Sequence, residues 1–178
     1  AFEPGSTVKT LTLVAALESR QFHIDSLVDT TPGRIRVGAK VLHDPRNYGE
    51  ISVSKIIEKS SQVGVTKVAQ TVGHEAILDV LYRFGLGEST GTGFPGERAG
   101  RLPAPTHWSE IEKVTLAFGY GLTATPIQLA RAYAVLANGG VRRPLTLLKQ
   151  DLGDLPPGKQ VIDADIAAAV LEVLDRVT

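Results

Sequence analysis

The sequence predicts an α+β fold in which helices dominate and strands are few. Apolar residues recur at helical spacing over several segments, one stretch alternates as a hairpin does, and helix-capping signals precede two helical segments. The 178 residues can form one hydrophobic core, so we expect residues 1–178 to be one domain or part of one. Because strands are so few, we expect the rest of the sheet to lie outside this sequence.

Six segments show the apolar periodicity of helices. Thr125, followed by Pro126 and Gln128, predicts a capping box, and Asp163 is a candidate cap for the last helix. Gly85 can supply the left-handed residue that ends another helix. The predicted helices cover residues 7–19, Ser52 or Ser54 to Lys59, 63–72, 74–84, Thr125 to about Ala137, and Asp163 through Leu174.

Extended structure is predicted in two places. The alternation of residues 34–37, a return over residues 40–42 and a type II′ turn at Gly38-Ala39 predict a small hairpin. Residues 145–149 are predicted as a further strand. Six glycines between residues 85 and 106 predict an ordered loop.

The composition excludes several partners and chemistries. Nineteen basic and 19 acidic residues give a formal net charge of zero, so we expect no binding to nucleic acid. Without cysteine there are no disulfides, thiolate metal sites or cysteine nucleophiles, and the four histidines lack ligand spacing. We therefore expect no metal and no cofactor. Since methionine is also absent, we expect the chain to be a piece of a longer protein.

Ser6-Thr7-Val8-Lys9 places a serine and a lysine on one face of a first helical turn. A serine hydroxyl needs a base to become a good nucleophile, and lysine can be that base when burial or a nearby cation lowers its pKa. The plainer alternative is that Ser6 caps the helix and Lys9 is solvated. The same spacing recurs in Ser52-Val53-Ser54-Lys55, where Ser52 is more typical of an ordinary cap.

Four blocks, in order along the chain, resemble motifs of the penicillin-binding proteins. Phe2-Glu3-Pro4-Gly5-Ser6-Thr7-Val8-Lys9 resembles the first motif, and Lys59-Ser60-Ser61-Gln62-Val63-Gly64 is similar to the second, serine-x-asparagine motif. Residues 93–98, with 100–103 and Trp108, resemble the class B, division-type branch, and residues 118–130 resemble the segment that precedes one of the family's long helices. The resemblance covers essentially the whole chain, and four ordered blocks are more specific than any single one.

The resemblance implies the fold shared by penicillin-binding transpeptidase domains and serine β-lactamases, mostly its helical part with an incomplete sheet. It implies a peptidoglycan D,D-transpeptidase of septal cell-wall synthesis, which takes D-Ala-D-Ala stem peptides and is acylated by β-lactams. Division-complex membrane proteins would be its partners. It would work at the periplasmic face of the bacterial cell membrane, held by an N-terminal anchor outside this chain.

The resemblance also implies residue roles: Ser6 as nucleophile, Lys9 as base, Ser60 as proton relay and Gln62 as the substrate-binding amide. The family has Asn where this chain has Gln62, and its third motif, lysine-serine/threonine-glycine, is absent. We therefore expect the end of the domain to be missing and the chain alone to be inactive. The plainer interpretations are a helix cap or turn hydroxyl for Ser60 and a solvent-facing amide for Gln62.

Two other functions share this fold. One is a serine β-lactamase or β-lactam-sensing receptor domain, which also shares the first motif and which rapid deacylation or a signalling partner would distinguish. The other is a non-catalytic division scaffold, for which Gln62 is the only support.

Overall fold

A computed structural model describes residues 1–104, 107–151 and 156–177. Within these ranges the chain forms seven α-helices and three antiparallel sheets of two strands each. The helices are α1 (Lys9–Glu18), α2 (Val53–Glu58), α3 (Gln62–Val72), α4 (His74–Arg83), α5 (Glu110–Thr115), α6 (Pro126–Ala137) and α7 (Ala164–Asp175). The strands are β1 (Leu27–Asp29), β2 (Arg34–Val37), β3 (Lys40–His43), β4 (Glu50–Ser52), β5 (Val141–Arg142) and β6 (Lys159–Gln160), paired as β1 with β4, β2 with β3 and β5 with β6. No helix in the described ranges is long and apolar enough to cross a bilayer.

Helix α1 lies at the centre of the fold. Every residue from Lys9 to Ala16 is buried, and α1 packs against α2, α3, α4 and α7. A helix that is apolar on nearly every side belongs in the interior, because no rotation about its axis exposes a polar face. Lys9 is therefore drawn into the core by the helix to which it belongs.

The turn before α1 is a 3₁₀ helix, Gly5–Val8, which contains Ser6. The predicted first helix is confirmed, with Ser6 inside its opening turn. The N–H of Gly5 donates to the carbonyl of Gly119 at 3.3 Å, and Phe2 pairs with Ala124 through two hydrogen bonds of 2.9 Å. A remote segment of the chain thus fixes the turn that contains Ser6.

Other local predictions are also confirmed. β2 and β3 form the predicted hairpin, with Gly38 at φ +56°, and Gly85 ends the α4 segment at φ +87°. Thr125 and Gln128 form both hydrogen bonds of a capping box. The Gln128 amide also donates to two carbonyls of the loop that begins at Gly85, those of Glu88 and Ala99.

The predicted loop over residues 85–106 is confirmed as far as it is described, since Pro105 and Thr106 lie outside the described residues. Glu97 organises it by accepting hydrogen bonds from Ser89, Thr90 and Thr92. These bonds, from Thr90 first, lower the pKa of the Glu97 carboxyl to about 2.

Two local predictions are wrong. Residues 145–149 are not a strand: Thr146 turns back onto Leu148, and the Leu148 side chain is 77% exposed, so the apolar run has no sheet to enter. Asp163 precedes α7, but its side chain makes no capping bond. Helix α5 went unpredicted although Ser109 and Glu112 form a capping box there.

Candidate active site

Three of the four predicted site residues meet in one hydrogen-bonded chain. The Lys9 ammonium Nζ donates to Ser60 Oγ at 2.8 Å and to the Ser60 carbonyl at 2.5 Å. Ser60 Oγ in turn donates to Ser6 Oγ at 3.2 Å. Lys9 and Ser6 share the first turns of one helix, yet the hydrogen bonds connect them through Ser60, 51 residues further along the chain from Lys9.

The backbone of Ser60 explains how one residue offers Lys9 both acceptors. Ser60 has φ +52°, in the left-handed region that side chains other than glycine rarely adopt. It lies between α2 and α3, where its N–H donates to Ile57 and the N–H of Ser61 donates to Ile56. A costly conformation held by its surroundings is typical of functional sites.

Asp44 anchors the start of α3, the helix whose N-terminus closely follows Ser60 in the chain. Its buried carboxylate accepts hydrogen bonds from Ser61 Oγ at 2.6 Å, from Gln62 N at 2.6 Å and from Val63 N at 3.1 Å. Ser61 Oγ also accepts from Gly64 N, so Ser61 is the true cap of α3. The interpretation of Ser60 as the helix cap is therefore wrong. Sequence reasoning missed Asp44, and no local pattern connects it to residues 17 to 19 positions away.

Burial changes the acid–base chemistry of Lys9. Its side chain is almost completely enclosed, and this desolvation lowers the pKa of Lys9 to about 8, against a smaller opposing effect of the Asp44 charge. With a pKa of about 8, roughly one-tenth of the lysine is neutral at pH 7. Lys9 can therefore act as a base near neutral pH, which a solvated lysine cannot.

Gln62 is the first residue of α3, and only its backbone joins the network. Its N–H donates to Asp44, the residue itself is partly exposed, and its side-chain amide has no hydrogen bond to the residues described. Gln62 thus lies two positions after Ser60 in the chain, and none of the described residues engages its side-chain amide.

The second serine-x-x-lysine copy has a different structure. Ser52 caps α2 by accepting a hydrogen bond from Lys55 N, and the Lys55 ammonium pairs with Glu58 at 2.7 Å. Lys55 is exposed and bound to a carboxylate, whereas Lys9 is buried and bound to Ser60. The ordinary-cap interpretation of Ser52 agrees with these contacts.

Two further contacts frame the turn that contains Ser6. Glu3 accepts a hydrogen bond from Gly121 N at 3.1 Å, and Tyr133 OH donates to the Thr7 carbonyl at 2.9 Å.

No group of three or more His, Asp or Glu side chains with the geometry of a metal site occurs in the described part of the chain.

A mostly helical fold around a serine–serine–lysine chain, with the lysine buried and both serines exposed, is the architecture of the active-site-serine transpeptidase domains. The family model described as the penicillin binding protein transpeptidase domain matches residues 1–178, so the chain belongs to this family.

Relatives and solved structures agree with this assignment. The chain is 39% identical over 176 residues to the peptidoglycan D,D-transpeptidase FtsI of Escherichia coli K12, covering 99% of this chain and 29% of that protein. It superposes with a TM-score of 0.92 on the apo transpeptidase domain of Burkholderia pseudomallei penicillin-binding protein 3, at 35% identity over 98% of this chain and 53% of that one.

A third comparison is with Mycobacterium tuberculosis penicillin-binding protein 3, whose structure contains aztreonam. The TM-score is 0.88 at 33% identity, over 99% of this chain and 41% of that one. These comparisons confirm the predicted fold and the division-type resemblance. The chain spans less than a third of the Escherichia coli relative and about half of the Burkholderia domain.

Proposed function

We propose that residues 1–178 are part of the transpeptidase domain of a peptidoglycan D,D-transpeptidase. The main support is the Ser6–Ser60–Lys9 chain, which connects a hydroxyl at the start of a helix to a lysine with a pKa of about 8. Transpeptidation needs a serine that can lose its proton near neutral pH and a group that can return a proton to the leaving amine.

In the acylation step, Ser6 Oγ attacks the carbonyl carbon of the penultimate D-Ala of a stem peptide. The hydroxyl proton moves to neutral Lys9, and the geometry favours a route through the Ser60 hydroxyl, which touches both groups. A C–O ester bond forms and the C–N bond to the terminal D-Ala breaks. Ser60 passes a proton to the departing nitrogen, so free D-Ala leaves as an amine.

In the second step, the amine of another stem peptide attacks the ester. Its nitrogen loses a proton to the Lys9–Ser60 pair, the new peptide bond forms, and the proton returns to Ser6 as the ester C–O bond breaks. The backbone N–H of Ser6 is one candidate donor to the oxyanion of both steps. The side-chain amide of Gln62, a partly exposed residue, is a candidate to hydrogen-bond the stem peptide, in the place of the family's Asn.

β-Lactams would acylate the same serine, because their strained amide presents a carbonyl to Ser6 as the peptide does. The aztreonam-bound mycobacterial relative supports this part of the proposal. From the division-type relatives we also infer a role in septal cell-wall synthesis at the periplasmic face of the cell membrane, with membrane proteins of the division complex as partners.

The test supplies the intact protein with a pentapeptide ending in D-Ala-D-Ala and a second peptide with a free acceptor amine. We expect release of D-Ala together with the crosslinked product, loss of both in Ser6→Ala, and both retained in the matched variant Ser52→Ala. Release of D-Ala with only hydrolysed peptide would favour a hydrolase. No release, together with no β-lactam adduct, would favour the non-catalytic scaffold.

A further inference from the structure

We propose that the chain has an anion-binding pocket, separate from the serine–lysine chain, that takes a phosphate group. The pocket is an open cavity of about 400 Å³ between the start of the 85–104 loop, α6 and the β5–β6 hairpin. Four cationic side chains line it against one carboxylate. They are Arg131, Arg142, Arg143 and Lys159, and the carboxylate is that of Glu88.

Arg131 is the buried element of this pocket. Its side chain is only 5% exposed, and its Nη2 donates to the Gly85 carbonyl at 2.5 Å. Its Nε is buried without a hydrogen-bond partner among the residues described. That Nε is enclosed beside Gly85 and closed to a ligand, so Arg131 contributes its charge to the pocket, and an oxyanion is the group that a guanidinium best accommodates.

The charge of the pocket is not balanced from within. Salt bridges in the described ranges reach only two of the four cations, both through Glu88, which lies 2.5 Å from Arg142 and 3.5 Å from Arg131. Burial, and then the nearby Arg142 charge, lowers the pKa of Arg131. Among the described residues that line the pocket, positive charges therefore exceed negative charges by three, and Glu97, outside the lining, also acts on Arg131.

The fold holds these cations in place. Arg142 and Lys159 are direct partners across the β5–β6 pair, so their side chains lie near each other. Arg142 Nη1 also donates to the Arg83 carbonyl at 3.1 Å, and Arg143 Nη1 donates to the Pro156 carbonyl at 3.2 Å. Arg143 therefore keeps further donors for a ligand, whereas Arg142 Nη2 is already paired with Glu88.

A phosphate group fits this pocket better than a single carboxylate does. A phosphate group carries nearly two negative charges, which suit the excess of three positive charges among the lining residues. Its several oxygens can also accept hydrogen bonds from guanidinium groups that lie on separate elements. Free phosphate and a phosphate monoester share this chemistry, so the test includes both.

The test measures binding of inorganic phosphate and of glycerol 3-phosphate to the intact protein by calorimetry, with chloride at matched ionic strength and acetate as controls. We expect saturable binding of a phosphate probe but not of acetate. Arg143→Gln with Lys159→Gln, both exposed, should weaken binding about tenfold or more. Arg36→Gln, an exposed arginine on the separate β2–β3 hairpin, should leave binding unchanged.

A second variant tests the sign of the charge argument. Glu88→Gln removes the competing carboxylate and should tighten phosphate binding. Binding no stronger than that of chloride, equal binding of acetate, an equal loss in Arg36→Gln, or weaker binding in Glu88→Gln would each overturn the proposal. Retained D-Ala release in every variant would show that the outcome is independent of the proposed transpeptidase site.

Discussion

The Asp44 carboxylate accepts a hydrogen bond of 2.6 Å from Ser61 Oγ, which ties the end of the β2–β3 hairpin to the first turn of α3. Ser61 directly follows Ser60, the residue that joins Lys9 to Ser6. The position of Ser60 therefore depends on a carboxylate that does not itself touch Ser6. The same carboxylate raises the pKa of Lys9, against the larger lowering by burial.

The acylation rate should rise with pH because neutral Lys9 is the active form. For a pKa of about 8, the rate with one β-lactam should increase about tenfold from pH 6 to pH 7 and level off above about pH 9. Stopped-flow measurement of the second-order acylation constant of the intact protein gives this profile. Lys9→Arg, which stays protonated throughout, should lose acylation at every pH. A flat profile would exclude Lys9 as the base.

Asp44→Asn should shift that profile toward lower pH. Asn keeps an oxygen that can accept from the N–H groups of Gln62 and Val63, but it loses the negative charge that stabilises the Lys9 ammonium. The pKa of Lys9 should therefore fall, and the rise of rate should begin at a lower pH. Asp44→Ala, which removes the acceptors as well, should also lower the maximal rate. A profile that moves to higher pH in Asp44→Asn contradicts this electrostatic role.

Gln62→Asn should leave acylation intact or raise it, whereas Gln62→Ala should lower it. Both amides make the same hydrogen bonds, but Gln has one more torsion to fix, at about 0.5 to 1.5 kcal/mol. A shift of about 1 Å in a catalytic group can lower a rate about a hundredfold. The three acylation constants with one β-lactam decide this point. An equal fall in Gln62→Asn would mean that the family's Asn role does not apply to Gln62.

Gly119→Ala should lower both the thermal stability of the protein and its rate of acylation by a penicillin. A Cβ at Gly119 would lie 2.6 Å from Gly5 N and closer still to Gly5 O, so it would displace the turn that contains Ser6. Gly121→Ala is the matched control, since Gly121 also has positive φ but a Cβ there meets nothing within 4 Å. The control should cost about 1 to 2 kcal/mol of backbone strain and keep its acylation rate. Thermal unfolding and penicillin labelling of both variants test the difference, and equal effects would refute the steric argument.

The sequence predicts those parts of the fold whose determinants are adjacent residues. The Thr125–Gln128 capping box and the hairpin turn at Gly38 are confirmed because each depends on a few neighbouring side chains. The pairing of β1 with β4 was not predicted, because each of these strands has three residues, too few to show the alternation of apolar and polar side chains that indicates a strand. The prediction of a strand over residues 145–149 is wrong because apolar side chains alone do not supply a partner strand.

In the candidate site, too, the sequence predicts contacts between neighbouring residues but not contacts that tertiary packing creates. Ser6 and Lys9 share a helical face by spacing, and Ser60 was found through the family resemblance. The Asp44 contact and the route from Lys9 through Ser60 depend on tertiary packing, so neither can be deduced from spacing along the chain.

The site of acylation in the intact protein shows directly whether Ser6 is the nucleophile. The protein is labelled with a fluorescent penicillin and digested, and the labelled peptide is identified by mass spectrometry. We predict a single label on Ser6, lost in Ser6→Ala and retained in Ser52→Ala, whose missing cap should cost only about 1 kcal/mol of stability. A label on Ser52, or undiminished labelling of Ser6→Ala, would contradict the assignment of Ser6 as the nucleophile.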